Sequence, residues 1–243
     1  MLEKLKQLDE GSLVEIEPEQ RVVVVGDTHG DFNSSQKIID EFLDDSTTLI
    51  FLGDYVDRGS ASKRNVDFLL QQKLNNPAHV YLLQGNHEGY PWLKFNPVDF
   101  WKNLDKAEFK FYKEVFQELP LVATFKNVIA LHGCLPDIES LDSVNEIKEG
   151  SENWRRITWG DFSERSFLQG IRPQFDQDYF ERKMDDFNKN FLIRSHQPNC
   201  PSKMFNDHCY TIFTSSAYGG QKTIALIDTE KKIKKENITI KQF

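Results

Sequence analysis

The sequence predicts an α/β fold organised on a parallel sheet. Three features predict it: aliphatic and β-branched runs too short for helices, amphipathic segments between them, and a polar cluster directly after each run. At the start, Leu2, Leu5 and Leu8 fall on one face of a short amphipathic helix. Arg21 leads into Val22–Val25, a β-branched run that suits a strand buried on both faces. It ends in Gly26-Asp-Thr-His-Gly-Asp31. Ile38, Ile39, Phe42 and Leu43 then make one helical stripe. Thr48–Leu52 predicts a second buried strand, ended by GDYVDRG, and a helix carrying Val66, Leu69 and Leu70 follows Gly59. A third strand at Val80–Leu83 runs into QGNHE. This alternation gives parallel strands joined by right-handed crossovers.

Beyond the third strand the pattern changes. Residues 91–118 read as helical, and their aromatic residues, among them Phe95, Phe100, Trp101, Tyr112 and Phe116, read as core packing. Leu121–Phe125 and Val128–Leu131 form a hairpin about Lys126-Asn127, and its second strand ends in HGC. Residues 137–174 are polar and irregular around WRRITWGDF. A helix over Tyr179–Phe187 precedes a strand at Phe191–Ile193 that ends in RSHQP. Strands at Tyr210–Phe213 and Thr223–Ile227 follow, and the Lys-rich tail closes with an edge strand whose charges face solvent. There are no repeats or low-complexity segments, and one domain over 1–243 is expected.

Composition narrows the function classes. With 39% hydrophobic and 12% aromatic residues, 19 of them Phe, a core can be built and global disorder is excluded. The longest apolar stretches are four residues, so no membrane span is expected. MLEKLKQLDE has no apolar signal core, which predicts a cytoplasmic protein. Cys134, Cys200 and Cys209 fit neither a disulfide framework nor a zinc ribbon. A net charge of -8 argues against nucleic-acid binding over a broad face.

The chemistry lies in a repeated arrangement. Five apolar strands each run into polar residues: Asp27 and His29, Asp54, Asn86, His132, and His196. Ligands in such sheets bind beyond the carboxyl ends of strands, so these clusters are expected to converge. Carboxylate, imidazole and amide donors without thiolate suit Mn, Fe or Zn, and six of them exceed one tetrahedral ion but suit two ions sharing a carboxylate. Asp27 and His29 point the same way if the chain stays extended between them. Gly26, Gly30, Gly53 and Gly85 lie beside the donors, where backbone can approach closely. His79 and His208 have no such setting and read as ordinary histidines.

The motifs GDTHGD at 26–31, GDYVDRG at 53–59, GNHE at 85–88, LHG at 131–133 and RSHQ at 194–197 resemble, in order, the signature set of the phosphoprotein phosphatases. These are the dinuclear-metal serine/threonine phosphatases of the calcineurin-like metallophosphoesterase superfamily. The resemblance implies a four-layer fold, a central β-sandwich of mixed sheets flanked by helices. It implies one metal on Asp27, His29 and Asp54, and a second on Asp54, Asn86, His132 and His196, with manganese the first expectation and iron or zinc as alternatives. It also implies a phosphoprotein or phosphopeptide substrate and direct in-line attack by a metal-bridging hydroxide. By formal charge, two divalent ions, two carboxylates and a hydroxide leave about +1, which draws a phosphate dianion. Arg58 would clamp its oxygens in a bidentate way. His87, held by Asp57, would protonate the leaving alkoxide.

Further residues follow from the same resemblance. A second phosphate-binding arginine is expected, with Arg172 in GIRPQFD favoured and Arg165 its competitor. Arg194 is either an active-site group or a structural partner, and Glu88 orients a neighbour. Tyr218 in FTSSAYGG falls where the family places an active-site Tyr in SAPNYCG, although that segment is eroded. HGC stands where HGG is usual, so Cys134 is either close to the metals or a small buried hydrophobe. Residues 137–174 are short and acidic, so a peptide groove built from them would differ from the eukaryotic enzymes.

Phosphodiesterases and dinucleoside polyphosphate hydrolases of the superfamily are the enzymatic alternatives. Many diesterase branches end in GHxH, whereas Gln197 stands in the second place here, and YVDRG is unusual among the polyphosphate hydrolases. A non-catalytic binding protein on this fold would be expected to have lost a metal ligand or His87, and neither is lost.

Overall fold

The computed structural model describes residues 1–163 and 172–243. Two β-sheets pack face to face and carry helices on their outer sides. The first sheet takes β2 (Arg21–Val25), β3 (Thr47–Phe51) and β4 (Val80–Leu82), all parallel, and extends through β12 (Thr223–Asp228), antiparallel to β2, and β13 (Ile238–Gln242), antiparallel to β12, in the order β13-β12-β2-β3-β4. The second runs β1-β5-β6-β9-β11-β10, from β1 (Leu13–Glu15), β5 (Val122–Phe125), β6 (Val128–Leu131), β9 (Phe191–Arg194), β11 (Cys209–Thr211) and β10 (Lys203–Met204). The two sheets are mixed, and β13 lies at an edge as expected.

Strand alternation accounts for the layers. Val22 and Val24 point into the space between the sheets with Ile50, Ala130, Ile193 and Tyr210. Val23 and Val25 point out against the helices with Leu49, Phe51, Ile38 and Leu69. All four valines are fully buried, as a run without polar alternation requires. That outer layer is α1 (Leu2–Lys6), α2 (Phe32–Phe42), α3 (Ser62–Asn75) and α4 (Lys106–Gln117). On the far side, Val122, Ile129, Leu131 and Leu192 pack against α5 (Glu152–Trp159) and α6 (Gln177–Asp186) through Trp154, Ile157, Phe180 and Met184.

Two expectations are corrected. Within 91–118, regular helix is confined to a 3-10 turn at Trp101–Asn103 and to α4. Pro91 and Pro97 remove amide donors from the preceding stretch, and a capping box between Asp105 and Glu108 starts α4 only afterwards. The segment 137–174, read as irregular, contains a 3-10 stretch at Leu141–Glu146, α5, and a two-stranded ribbon of β7 (Asp161–Phe162) and β8 (Gln174–Phe175).

Candidate metal centre

β2, β3 and β4 of one sheet and β6 and β9 of the other end at one rim, and the turns beyond them carry the predicted donors. The two rims are tied directly. The Gly26 amide donates to Thr214 Oγ1 at 2.9 Å and the Asp27 amide to Ser195 Oγ at 3.0 Å, while the Ser195 hydroxyl also bonds the Asp27 carboxylate. Ser195 and Thr214 were not singled out in the sequence; adjacency to His196 is the only signal for Ser195.

Asp27 and His29 do meet, with His29 Nε2 at 3.5 Å from Asp27 Oδ2, but not by an extended chain. His29 has φ +44°, so a turn rather than strand geometry brings the side chains together. Asp54 (φ +55°), Asp57 (φ +67°), Arg58 (φ +72°) and His196 (φ +70°) are also left-handed. Non-glycine residues keep such conformations where surrounding structure enforces them, often at functional sites. The enforcement is visible at Asp54. Glu88, fully buried, accepts hydrogen bonds from the amides of Asp54 at 2.7 Å, Tyr55 at 2.8 Å and Gly85 at 2.9 Å. Burial and the Asp54 carboxylate push Glu88 up to about 7 despite these donors. Gly85 is required here, because a Cβ would lie 2.3 Å from Asp54 Oδ1.

Asp54 Oδ2 sits at the middle of the cluster, 3.4 Å from His132 Nε2, 3.7 Å from His29 Nε2 and 4.0 Å from His87 Nε2. His132 Nε2 is also 3.2 Å from both Asn86 Oδ1 and His196 Nδ1. The other nitrogens of two rings are committed: His29 Nδ1 lies 3.0 Å from the Val56 carbonyl and His132 Nδ1 3.0 Å from that of Leu52. A carbonyl accepts only, so each Nδ1 carries a proton, and each Nε2 is the nitrogen that turns a lone pair toward the carboxylates once its own proton is displaced. The donor atoms of Asp27, Asp54, Asn86, His29 and His132 thus face one another in a buried space, a set that fits divalent cations able to displace the ring protons. Among the described residues, two groups of potential ligands fall within 4.8 Å, His29-Asp54-His87 and Asp54-His132-His196, and Asp54 is common to both. In the protein alone, burial resists charging of His29, yet Asp27 and Asp54 raise it to about 9. Burial, then His132 and Arg172, hold His196 well below the ordinary imidazole range.

His87 is held differently. Its Nδ1 is 2.6 Å from Asp57 Oδ2, and Asp57 Oδ1 accepts from the amides of Asp99 at 2.8 Å and Phe100 at 2.7 Å. Arg58 is exposed. Arg172 Nη1 is 3.2 Å from His196 Nε2 and 3.7 Å from Asp161 Oδ1, so it stands beside the cluster. Arg165 lies outside the described residues. Arg194, completely buried, donates to the carbonyls of Gly133 at 2.6 Å and Gly160 at 3.1 Å and to the Gln197 side chain, a structural position. Cys134 is buried among Leu131, Leu135 and Ile157, where burial pushes its thiol up, and it behaves as a small hydrophobe. Tyr218 is exposed, with its ring 5.8 Å from that of His29. Not all of the aromatics in 91–118 are core: Phe95 is only half-buried and packs edge-on to His87 at 4.8 Å. His79 and His208 lie away from the cluster, bonded to the carbonyls of Thr47 and Asn190.

The family model for calcineurin-like phosphoesterases matches residues 20–200, and the chain belongs to that family. Human serine/threonine-protein phosphatase 5 is 29% identical over 242 residues, covering 91% of this chain and 47% of that protein. Arabidopsis thaliana serine/threonine-protein phosphatase BSL2 is 26% identical over 82% of this chain and 23% of its own length. The chain therefore spans half or less of these relatives. A Saccharomyces cerevisiae protein serine/threonine phosphatase, described as similar to human PP5, superposes with a TM-score of 0.84 at 22% identity, covering 100% of this chain and 88% of that one. The expected fold of two mixed sheets flanked by helices is the one found. No helix among the described residues is long and apolar enough to cross a membrane.

Proposed function

We propose that the protein is a metal-dependent phosphomonoester hydrolase acting on phosphoserine and phosphothreonine in proteins. The observation that carries this is the cluster of buried donor atoms about Asp54, set beside a separate His87–Asp57 pair. In this reading Asp27, His29 and Asp54 hold one divalent cation, and Asp54, Asn86, His132 and His196 the second. Manganese is the first choice for this donor set, which iron or zinc would also suit. When bound, the cations would supply a water of lowered pKa and offset charge on the phosphoryl oxygens. His87 falls within the first ligand group by distance, and its Nδ1 partner Asp57 is itself held by the Asp99 and Phe100 amides, a support that would keep a proton-carrying imidazole in place.

The chain's own groups then divide the work. Arg58 and Arg172 bind phosphoryl oxygens from two sides of the cluster and orient the ester for in-line displacement. As the P–O bond to the side chain breaks, His87 passes its proton to the departing alkoxide, and Asp57 holds the ring in place. The proton lost by the attacking water returns His87 to its starting state through solvent. Tyr218 borders the entrance beside His29.

The test is metal analysis of purified protein, followed by activity after chelation and addition of Mn²⁺. The substrates are p-nitrophenyl phosphate, its bis ester, a phosphoserine peptide and diadenosine tetraphosphate. Hydrolysis of the monoester and the peptide alone is expected. Preference for the bis ester or the tetraphosphate would replace this reading with a diesterase or polyphosphate hydrolase.

A further inference from the structure

A basic patch lies on the half-buried rings that lead away from His87. Phe95, edge-on to His87 at 4.8 Å, is also edge-on to Tyr90 at 5.6 Å, and Lys94 Nζ lies 4.0 Å from the centre of the Tyr90 ring. The same ammonium is 5.1 Å from the ring of Phe109 on α4, and Lys113, also on α4, sits 5.9 Å over the ring of Trp92. Both lysines are exposed, while Tyr90, Trp92 and Phe109 are half-buried. The two carboxylates of α4 are engaged elsewhere, Glu108 with Lys63 and Glu114 with Lys110. Among the described residues neither Lys94 nor Lys113 forms an ion pair. Partial burial, and then the charge of Lys113, lower the Lys94 ammonium from its ordinary value, so the two cations sense each other. In a chain of net charge -8, paired cations without a counterion beside the cluster suit an anion from outside.

We propose that Lys94 and Lys113 form a subsite for acidic side chains of the substrate, so that phosphopeptides carrying Asp or Glu near the phosphorylated residue are preferred. The inference rests on the proposed function and adds a substrate class to it. Contacts of 4.8, 5.6 and 4.0 Å link the His87 ring to the Lys94 ammonium through Phe95 and Tyr90, a span that an extended peptide at ~3.3 Å per residue crosses in about two to four residues. Contact with two rings already restricts the Lys94 side chain, so less freedom is lost when a carboxylate docks. One exposed ion pair improves binding by roughly 1.4-fold to fivefold, and two cations meeting one carboxylate by roughly threefold to tenfold. The net charge of the chain alone would repel an acidic peptide, so the sign of the preference is diagnostic.

The test uses peptides of one sequence with a non-hydrolysable alkylphosphonate in the serine position, carrying Glu or Gln over that span before or after it. Binding to the metal-loaded protein is measured by calorimetry for wild type, Lys94→Gln and the double variant Lys94→Gln, Lys113→Gln. On one side of the phosphonate the Glu peptide is expected to bind roughly threefold to tenfold tighter than the Gln peptide. That ratio should fall in the single variant, reach one or less in the double variant, and shrink in about 0.5 M salt. A ratio of one or less in wild type on both sides, a ratio unmoved in the double variant, or failure of every phosphonate peptide to bind overturns the inference. Failure of the broader phosphatase reading is distinct: the ratio and its dependence on the two lysines are as expected, but no phosphopeptide is hydrolysed.

Discussion

At the residue scale, the imidazoles differ in what their far nitrogens touch. His29 and His132 rest on carbonyls and turn Nε2 inward, while His87 rests on Asp57 at 2.6 Å. Replacing His87 by Asn should therefore remove a proton donor without dismantling the cation site. The expected result is a fall in kcat of roughly 10²–10⁴, with two metals per chain retained on elemental analysis. Unchanged turnover would take His87 out of its role. Glu88 gives a contrasting case. Its carboxylate satisfies three buried amides and so fixes the left-handed turn at Asp54. Glu88→Gln turns one acceptor into a donor facing an amide, and should cost about 2–4 kcal/mol in urea unfolding. It should also weaken metal affinity roughly tenfold to a hundredfold, by loosening a ligand's support.

At the element scale, one contact joins α2 to the segment that carries Tyr218. Asp31 caps α2 by accepting from the Ser34 amide at 3.2 Å, and its other oxygen accepts from Lys222 Nζ at 2.6 Å and Ser216 Oγ at 3.0 Å. Although burial opposes it, Lys222 and these donors hold the Asp31 carboxyl below its ordinary value. A lowered folded-state pKa means that the stabilisation is complete above the unfolded value of about 3.9 and fades as pH falls through the lowered one. Asp31→Ala should thus destabilise by about 1–2 kcal/mol at neutral pH. The gap between variant and wild type should close below about pH 4, as read from urea midpoints. A gap independent of pH would assign the loss to packing instead. Elements of this kind were unevenly legible in the sequence. The strands read at Val22–Val25, Thr48–Leu52 and Val128–Leu131 announced themselves because a strand buried on both faces needs unbroken apolar residues, and they are found at Arg21–Val25, Thr47–Phe51 and Val128–Leu131. The donors at their ends were legible for the same reason, since the strands aim them. α5 was not, because it has eight residues and only Trp154, Ile157 and Thr158 are buried. Nor could local pattern foresee Phe95 beside His87, a contact between separate loops fixed by tertiary packing. The left-handed turns at His29 and Asp54 likewise depend on hydrogen bonds that no spacing encodes.

At the scale of the whole molecule, the cluster lies across the joint between the two sheets. Asp27, His29, Asp54 and Asn86 follow strands of the five-stranded sheet, and His132 and His196 follow strands of the six-stranded one. Cations held by both groups would cross-link the sandwich at one end, adding to the Gly26–Thr214 and Asp27–Ser195 hydrogen bonds. A ligand that binds only the folded chain stabilises it in proportion to the logarithm of its excess over Kd, about 4 kcal/mol at a thousandfold excess. For a chain of this size that corresponds to roughly 8–16 °C in Tm. Chelation should lower Tm by such an amount, and Mn²⁺ should restore it in a concentration-dependent way. His132→Ala removes a donor from one sheet while leaving Asp27, His29 and Asp54 in place. It should therefore shrink the metal-dependent shift, because His196 alone then ties the second ion to the six-stranded sheet. The same Tm with and without chelator, measured in protein shown by elemental analysis to have gained and lost its metal, would mean that the sheets are joined without help from the cations and that the cluster contributes nothing to holding the sandwich closed.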